Sequence, residues 1–364
     1  MNAPAITDLA AVQWYLRHGR PITQADLRGI DLRGSSLAGA LLQDCELGGM
    51  DLSKTDLSRT VFLQCRMAGV MLRGGSLTQT QFIRCALGDA CLESAVLSQG
   101  SFVDCDLQAL QAKNLQIDHA ALTGCKLDRA DLQGCWMRSA VLWRCSLPGA
   151  SLAGASLAQT ALSDTDLRST KLDGLQATHS ALMKNDWRGQ NLGSLSLKSC
   201  QLQEGLFAQA DLSGAQLAGS NLMQVHFDGT RLRGVQAAQA MFLSSHFEDC
   251  DAGGADFSAA MFYNARVTRC DFSAAQLAGG NWEKSDVQGL QAGGADFSDV
   301  RFDHAQLTDS DFTRADLSRS SFHDASLQAV RLRGATRRGQ RGTDARLAAL
   351  QRPNLELEDL PCRP

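Results

Sequence analysis

Apolar residues occupy every fifth position of this chain, without a slip of phase, from Leu27 to Leu332. An α-helix repeats about every 3.6 residues and a β-strand about every 2, so a strict period of five belongs to neither. The pattern predicts short straight segments that are separated by corners and stacked into coils sharing one core. Because repetition absorbs the length, we expect one elongated unit rather than two or three globular domains.

Residues of one kind also recur at intervals of 20, which predicts four pentapeptides per coil. Phenylalanine centres show the interval at Phe62, Phe82 and Phe102. Cysteines two positions before a centre form a second column, at Cys45, Cys65, Cys85, Cys105, Cys125 and Cys145. With about 15.5 coils stacked at a spacing of about 4.8 Å, we expect a rod roughly 75 Å long.

Side-chain volume compensates within single pentapeptides. The large centre Trp282 follows Gly280, whereas the small centre Ala112 follows Leu110. A close-packed interior of fixed bore requires this compensation. We therefore expect the centre and the residue two positions before it to point into one common core.

Several pentapeptides resemble the A(D/N)LXX signature of bacterial pentapeptide-repeat proteins. The clearest begin with Ala25-Asp26-Leu27, Ala130-Asp131-Leu132, Ala210-Asp211-Leu212, Ala255-Asp256-Phe257, Ala295-Asp296-Phe297 and Ala315-Asp316-Leu317. The resemblance implies an all-β fold, a right-handed quadrilateral parallel β-helix with short helical terminal caps. It also implies that the other three residues of each pentapeptide face solvent or form a corner.

The two ends depart from the repeat. Residues 1–24 predict an N-terminal cap helix with Thr7 or Asp8 as its N-cap, and residues 25–335 form the repeat. Residues 336–364 begin with a basic segment, and we expect a short helix at Thr343–Gln351 followed by a tail. Both ends of a solenoid need covers, because exposed strand edges invite end-to-end assembly.

Composition favours a cytoplasmic protein. The net charge is −4 with a pI near 6.0, no apolar run is long enough to span a membrane, and the first residues lack a signal-peptide pattern. Secretion by a non-classical route stays open. All cysteines except Cys91 and Cys362 occupy inward positions, so we expect buried, reduced thiols there and reactive thiols at those two.

No motif predicts an enzyme or a cofactor site. The chain has no phosphate-binding loop, HExxH, GxSxG or paired CxxC motif. His226 and His246, beside Asp228 and Glu248, form the most metal-like group, but two stacked histidines without supporting contacts favour a solvated edge. The cysteine column forms a row rather than a tetrahedron. We therefore expect no catalytic, cofactor or metal site.

DNA mimicry is the best-known activity that the family resemblance suggests. A mimic must present a sustained negative field, whereas the signs of the outward charges on this chain alternate along the rod, as in Asp26/Arg28 and Asp166/Arg168. The same mixture opposes binding of nucleic acid itself. Protection or inhibition of a type II topoisomerase such as gyrase is therefore the alternative function rather than the first.

One wall carries apolar residues at outward positions. Either a terminal segment covers this stripe or it is a lateral protein interface, and we favour the interface. Trp136 extends the stripe onto an adjacent wall. The candidate partner-binding residues are Leu63, Ile83, Val103, Trp136, Val141, Trp143, Met183, Met223, Met241, Leu243, Met261 and Tyr263.

The sequence therefore predicts a non-enzymatic scaffold that binds a protein partner or a second copy of itself, with a homodimer possible. We expect no nucleic-acid partner and no membrane insertion. A further alternative is an accessory or effector protein of a bacterial secretion system, in which long pentapeptide-repeat chains also occur.

Overall fold

The computed structural model describes residues 4–344. Within them, one helix precedes a series of very short parallel strands. In chain order the elements are α1 (Leu9–Arg17), β1 (Ile22–Thr23), β2 (Leu41–Gln43), β3 (Val61–Leu63), β4 (Gln81–Ile83), β5 (Val96–Ser98), β6 (Ser101–Val103), β7 (Gln116–Asp118), β8 (Ala121–Thr123), β9 (Trp136–Arg138), β10 (Val141–Trp143), β11 (Ser156–Ala158), β12 (Ala161–Ser163), β13 (Gln176–Thr178), β14 (Ser196–Lys198), β15 (His226–Asp228), β16 (His246–Glu248), β17 (Arg266–Thr268), β18 (Asp286–Gln288), β19 (Gln306–Thr308) and β20 (Ser326–Gln328).

Helix α1 lies inside the segment predicted to cap the N-terminus. Asp8 is its N-cap, because the Asp8 carboxylate accepts a hydrogen bond of 2.8 Å from the backbone N–H of Ala11. Val12 is fully buried and belongs to the same core as the first coils. Gly19, with a φ of 58°, follows the helix end in the left-handed conformation that glycine favours.

The strands form three parallel sheets. The first has the order β1-β2-β3-β4-β6-β8-β10-β12, the second β14-β13-β11-β9-β7-β5 and the third β15-β16-β17-β18-β19-β20. Every pairing joins residues 20 positions apart, for example Leu42 with Phe62 and Phe227 with Phe247. Isolated bridges with the same offset continue the stacking between and beyond the strands. The predicted four-sided parallel β-helix, of about 15 turns, is therefore confirmed.

Two opposite walls of the rod differ in their outward residues. The apolar wall carries the centres Leu42, Phe62 and every twentieth residue onward to Phe322. The charged wall carries Leu32, Leu52 and every twentieth residue onward to Leu332, and it lies opposite because it follows two pentapeptides later in each coil. Corners are turned two residues after a centre, where residues such as Asp44 and Gln64 adopt φ values of 52° and 54°.

The core is one continuous column of centres. Phe62, Phe82 and Phe102 stack with ring centroids 5.0 and 4.6 Å apart, as their spacing predicts. Trp282 is fully buried, and a Cβ on Gly280 would lie 3.0 Å from the carbonyl oxygen of Leu277 and 3.6 Å from the Trp282 indole nitrogen. A side chain at position 280 would therefore crowd the backbone beside Trp282.

Inward polar residues bond the carbonyl of the centre 23 residues earlier. The Thr60 hydroxyl donates to the carbonyl of Leu37 at 2.7 Å, and the Cys65 thiol donates to that of Leu42 at 3.4 Å. All cysteines of the described residues are free thiols, and burial raises the pKa of Cys135 to about 12. The column therefore consists of small core residues that also donate hydrogen bonds.

Cys91 is not the exposed thiol that its outward position predicts. Only 8% of this residue is accessible, and the Arg73 guanidinium lies 3.9 Å from its sulfur. Small outward residues are covered by long side chains on neighbouring coils, which explains the difference. Cys362 lies outside the described residues.

Coil pairing continues past residue 335 at the C-terminal end. Thr336 and Arg341 still form parallel bridges with Asp316 and Ser321, because backbone pairing does not require an apolar centre. The centre Leu327 is exposed at this end and lines a cavity of about 170 Å³ with Phe322, Val330 and Leu332. The helix predicted at Thr343–Gln351 falls almost entirely outside the described residues.

Candidate functional site

The apolar wall carries no charged outward residue over most of its length. From Pro21 to Asn281, none of the residues directly before or after its centres is Asp, Glu, Lys or Arg. Strands of the first sheet, from β2 to β12, form the N-terminal half of this wall, and isolated bridges continue it through Met241 and Met261. The first charges beside its centres are Glu283 and Arg301.

The most exposed predicted residues on this wall are Val141, Trp143, Met183 and Met261. Trp143 is 49% exposed, and the Arg144 guanidinium lies 4.3 Å from the centroid of its ring. Strands β8 and β12 flank it with only Thr123 and Ser163, so the indole projects above small neighbours. An aromatic anchor of this kind contributes a large contact area at a protein interface.

The other predicted residues of the wall are half-buried, so the accessible apolar surface is smaller than the sequence alone suggests. Each outward side chain packs on those one coil above and below, at a spacing of about 4.8 Å. Val103, for example, lies between Ile83 and Thr123. The half-buried residues are Leu63, Ile83, Val103, Met223, Met241, Leu243 and Tyr263.

Trp136 is the most exposed large apolar residue, at 71%, and lies on an adjacent wall. It belongs to β9, between Gln116 and Ser156 in the second sheet, and is separated from Val141 by a corner. The structure therefore does not place Trp136 in the same column as Trp143. A partner that contacts both must reach around this corner.

On the charged wall, side chains of opposite charge form ion pairs with one another. Arg33 pairs with Asp31 at 2.8 Å and Arg73 with Glu93 at 2.8 Å. Hydrogen bonds from the side chain and backbone of Arg33 lower the pKa of Asp31 to about 2. Surface pairs of this kind contribute little stability, but they leave no sustained field of one sign.

Aspartates directly before a centre have a structural role that the sequence did not reveal. The Asp51 carboxylate accepts a hydrogen bond of 3.0 Å from the backbone N–H of Ser53, and Asp311 accepts one of 2.8 Å from Thr313. The side chain thereby satisfies a backbone donor in the turn. The repeat uses these carboxylates to build corners, which accounts for their abundance.

Asp228, His246 and Glu248 lie together on β15 and β16, on a wall next to the apolar one. His246 Nε2 is 3.7 Å from Asp228 Oδ1 and 3.3 Å from Glu248 Oε2, and these atoms lie within 4.8 Å of one another. Arg269 binds the second oxygen of Glu248 at 2.5 Å and also binds Asp249. Glu248 therefore already has a cationic partner, Arg269, within this group. The expectation that the group binds no metal stays a prediction.

The geometry defines a parallel β-solenoid built from five-residue units, and comparison with known families agrees. The model of pentapeptide repeats matches in eight copies, over residues 22–59, 101–144, 135–174, 196–240, 244–279 and 295–334. These segments together cover more than half of the chain. The chain therefore belongs to the pentapeptide-repeat family.

Solved structures of pentapeptide-repeat proteins align with low similarity. A trypsin-treated variant of QnrB1, a plasmid-mediated fluoroquinolone resistance protein, is 20% identical over 54% of this chain and 94% of its own, with a TM-score of 0.25. HetL, a protein involved in heterocyst differentiation regulation from Nostoc sp. strain PCC 7120, is 19% identical over 91% and 94%, with a TM-score of 0.17. No curated protein matches the sequence.

The single helix within residues 4–344 is far too short to cross a bilayer, and the described part of the chain has no other helix to consider.

Proposed function

We propose that this protein is a non-enzymatic scaffold that binds protein along its apolar wall. The observation that carries the proposal is the absence of charge beside the centres from Pro21 to Asn281, with Trp143 and Met261 exposed in the same stripe. Burying apolar surface is the main favourable term in protein association, and uncharged surface avoids the cost of desolvating ions. The wall therefore suits an extended contact.

The polar residues of the described chain support a non-enzymatic role. Aspartates before the centres bond the turn backbone, and many outward carboxylates, such as Asp118 with Arg138 and Asp299 with Arg319, are paired with arginine. A catalytic carboxylate or nucleophile is instead expected in a cleft, close to a general acid or base. Ionised side chains that are paired with one another do not supply that arrangement.

The gyrase-directed alternative receives less support from the same charges. A mimic of the DNA backbone requires carboxylates that are not neutralised, whereas Asp26 and Asp166 pair with Arg28 and Arg168 two residues away. A role in secretion has no particular residue in its favour. We also propose that the protein is cytoplasmic.

The test compares Trp143→Glu with the matched variant Met71→Glu. Met71 lies on the charged wall, is 41% exposed, and stands directly before a centre. Both variants leave the core intact, so we expect an unchanged melting temperature. We expect Trp143→Glu to weaken association by at least about 30-fold, the effect of losing a hot-spot residue, and Met71→Glu to have no effect.

Association is measured by sedimentation velocity of the purified chain and by quantitative co-purification from the native cell. Loss in Trp143→Glu alone supports the proposal. Equal behaviour of the two variants, or loss in Met71→Glu alone, contradicts it.

A further inference from the structure

The coils of the apolar wall stack in an unbroken register, and this property determines how two copies can face each other. Val141 pairs with Ala121 and Ala161, and bridges with the same offset continue from Ala161 through Gln201 to Met261. Two such walls placed face to face about a two-fold axis that crosses the rod run antiparallel. Each coil then meets one coil of the second copy, and each outward column meets itself in reverse order.

We propose that the occupant of the apolar wall is a second copy of this chain, antiparallel, with the two-fold axis at the coil of Trp143. This inference rests on the proposed function, because it names the partner of the same surface. In this register Trp143 faces Trp143 of the second copy, and Val103 faces Met183. Leu63 meets Met223, and the small residues Thr123 and Ser163 meet each other.

Corner charges are complementary in this register. The corner residues beside this column, two positions after each centre, include Arg84, Asp104, Lys184 and Glu204. About the Trp143 axis, Asp104 meets Lys184 and Arg84 meets Glu204, and the symmetry makes each contact twice. Within residues 4–344, Arg84 and Asp104 form no ion pair, while Lys184 and Glu204 approach to 3.5 Å. Each of these corner charges therefore faces a residue of opposite charge on the second copy, an arrangement that favours this register.

At this axis the corner residue Arg144 faces Arg144 of the second copy, which brings two positive charges together. Its guanidinium stacks on the Trp143 ring at 4.3 Å, and the second copy's Asp164 lies one coil away from it. Moving the axis to the coil of Ser163 would place Arg144 opposite Lys184 and Asp164 opposite itself. Like charges in direct opposition are unfavourable, so the register centred on Trp143, which has one such contact, is preferred to the register centred on Ser163, which has three.

The length of the wall is sufficient for a stable dimer. A standard interface uses about 20–30 residues on each side and buries about 800 Å² per partner. The coils between the centres Leu42 and Phe242, which the axis relates to each other, supply two outward residues each together with their corners. None of the residues beside these centres is charged, so no isolated ion is buried between the copies.

The first test is disulfide trapping with Thr123→Cys and Ser163→Cys in the full-length chain. Because Thr123 meets Ser163 across the axis, we expect an equimolar mixture of the two single variants to give a covalent heterodimer. Each variant alone should give no more covalent dimer than wild type under the same oxidant. Covalent dimers of Ser163→Cys with itself would place the axis elsewhere and overturn the register.

The second test exchanges the corner charges. Asp104→Lys and Lys184→Asp should each weaken the dimer by about tenfold, because each places like charges opposite one another twice, and the double variant should recover wild-type affinity. Failure of the double variant to recover contradicts the register. A wild-type chain that stays monomeric at about 100 µM contradicts a second copy as the occupant. In that case, continued co-purification that only Trp143→Glu abolishes would leave the proposed function standing.

Discussion

The apolar wall and the charged wall are built on the same backbone repeat, yet they differ in local structure and in chemistry. Strands β2 to β12 of the first sheet lie on the apolar wall, whereas the charged wall has only isolated bridges and turns within residues 4–344. On the charged wall, aspartates such as Asp51 bond the backbone N–H two residues on. The apolar wall has no carboxylate at that position before Arg301, and only Asn221 and Asn281, toward its C-terminal end, accept the equivalent hydrogen bond there.

This comparison indicates that inward residues determine the fold, while the outward residues can differ in polarity and charge from one wall to the next. On the charged wall, ion pairs between neighbouring coils, such as Arg73 with Glu93, satisfy the outward groups. On the apolar wall, Trp143 is still 49% exposed although the Arg144 guanidinium stacks on its ring.

Substitution of two adjacent residues on β6, one inward and one outward, should lower the free energy of unfolding by very different amounts. Phe102 is buried and stacks on Phe82 at 4.6 Å, so Phe102→Ala should lower the free energy of unfolding by about 3–5 kcal/mol. The outward Val103→Ala should cost less than about 1 kcal/mol, because it removes a half-buried side chain. Denaturant titration of both variants measures the difference. Equal losses would mean that the outer face is part of the structural core.

A smaller effect concerns the reactivity of Cys91, a thiol on the charged wall. Cys91 is 8% exposed beside Arg73, so its labelling by a thiol reagent in the native state should be slow. Arg73→Ala should accelerate labelling of Cys91 and leave that of the inward Cys85 unchanged. The rates are measured by mass spectrometry after quenched labelling. Fast labelling of Cys91 in the wild-type chain would show that outward side chains do not cover the wall.

The smallest effect is the pH dependence of the ion pairs. The pKa of Asp31 on the charged wall, and those of Asp26 and Asp166 on a neighbouring wall, are lowered to about 2, chiefly by side-chain hydrogen bonds from arginine. A carboxylate with a lowered native pKa contributes stability above its unfolded pKa of about 3.9, and loses it as the pH falls toward 2. The melting temperature should therefore stay level between pH 5 and 8 and decline only below about pH 4. These pairs are exposed, so 1 M salt should shrink the decline. A decline beginning near pH 6 would implicate other groups.

Much of the fold could be predicted from the sequence because the period of five and the interval of 20 specify which residues stack. The Phe62 column and the compensation at Gly280 follow directly from residue spacing and volume, whereas the sequence left the N-cap open between Thr7 and Asp8. Exposure was harder to predict. Leu63 and Cys91 are covered by side chains on neighbouring coils, whose conformations the repeat does not specify. The position of Trp136 on a wall adjacent to that of Trp143, by contrast, follows from residue spacing.

The most direct test of the apolar wall as a binding face is hydroxyl-radical footprinting of the unmodified chain, with two methionines as internal standards. Met261 on the apolar wall and Met71 on the charged wall are 45% and 41% exposed, and both stand directly before a centre. Oxidation is compared between a dilute sample and a concentrated or partner-bound sample. The account predicts that association protects Met261 and Trp143 while Met71 is oxidised at an unchanged rate. Protection of Met71 with continued oxidation of Met261 and Trp143 would contradict it.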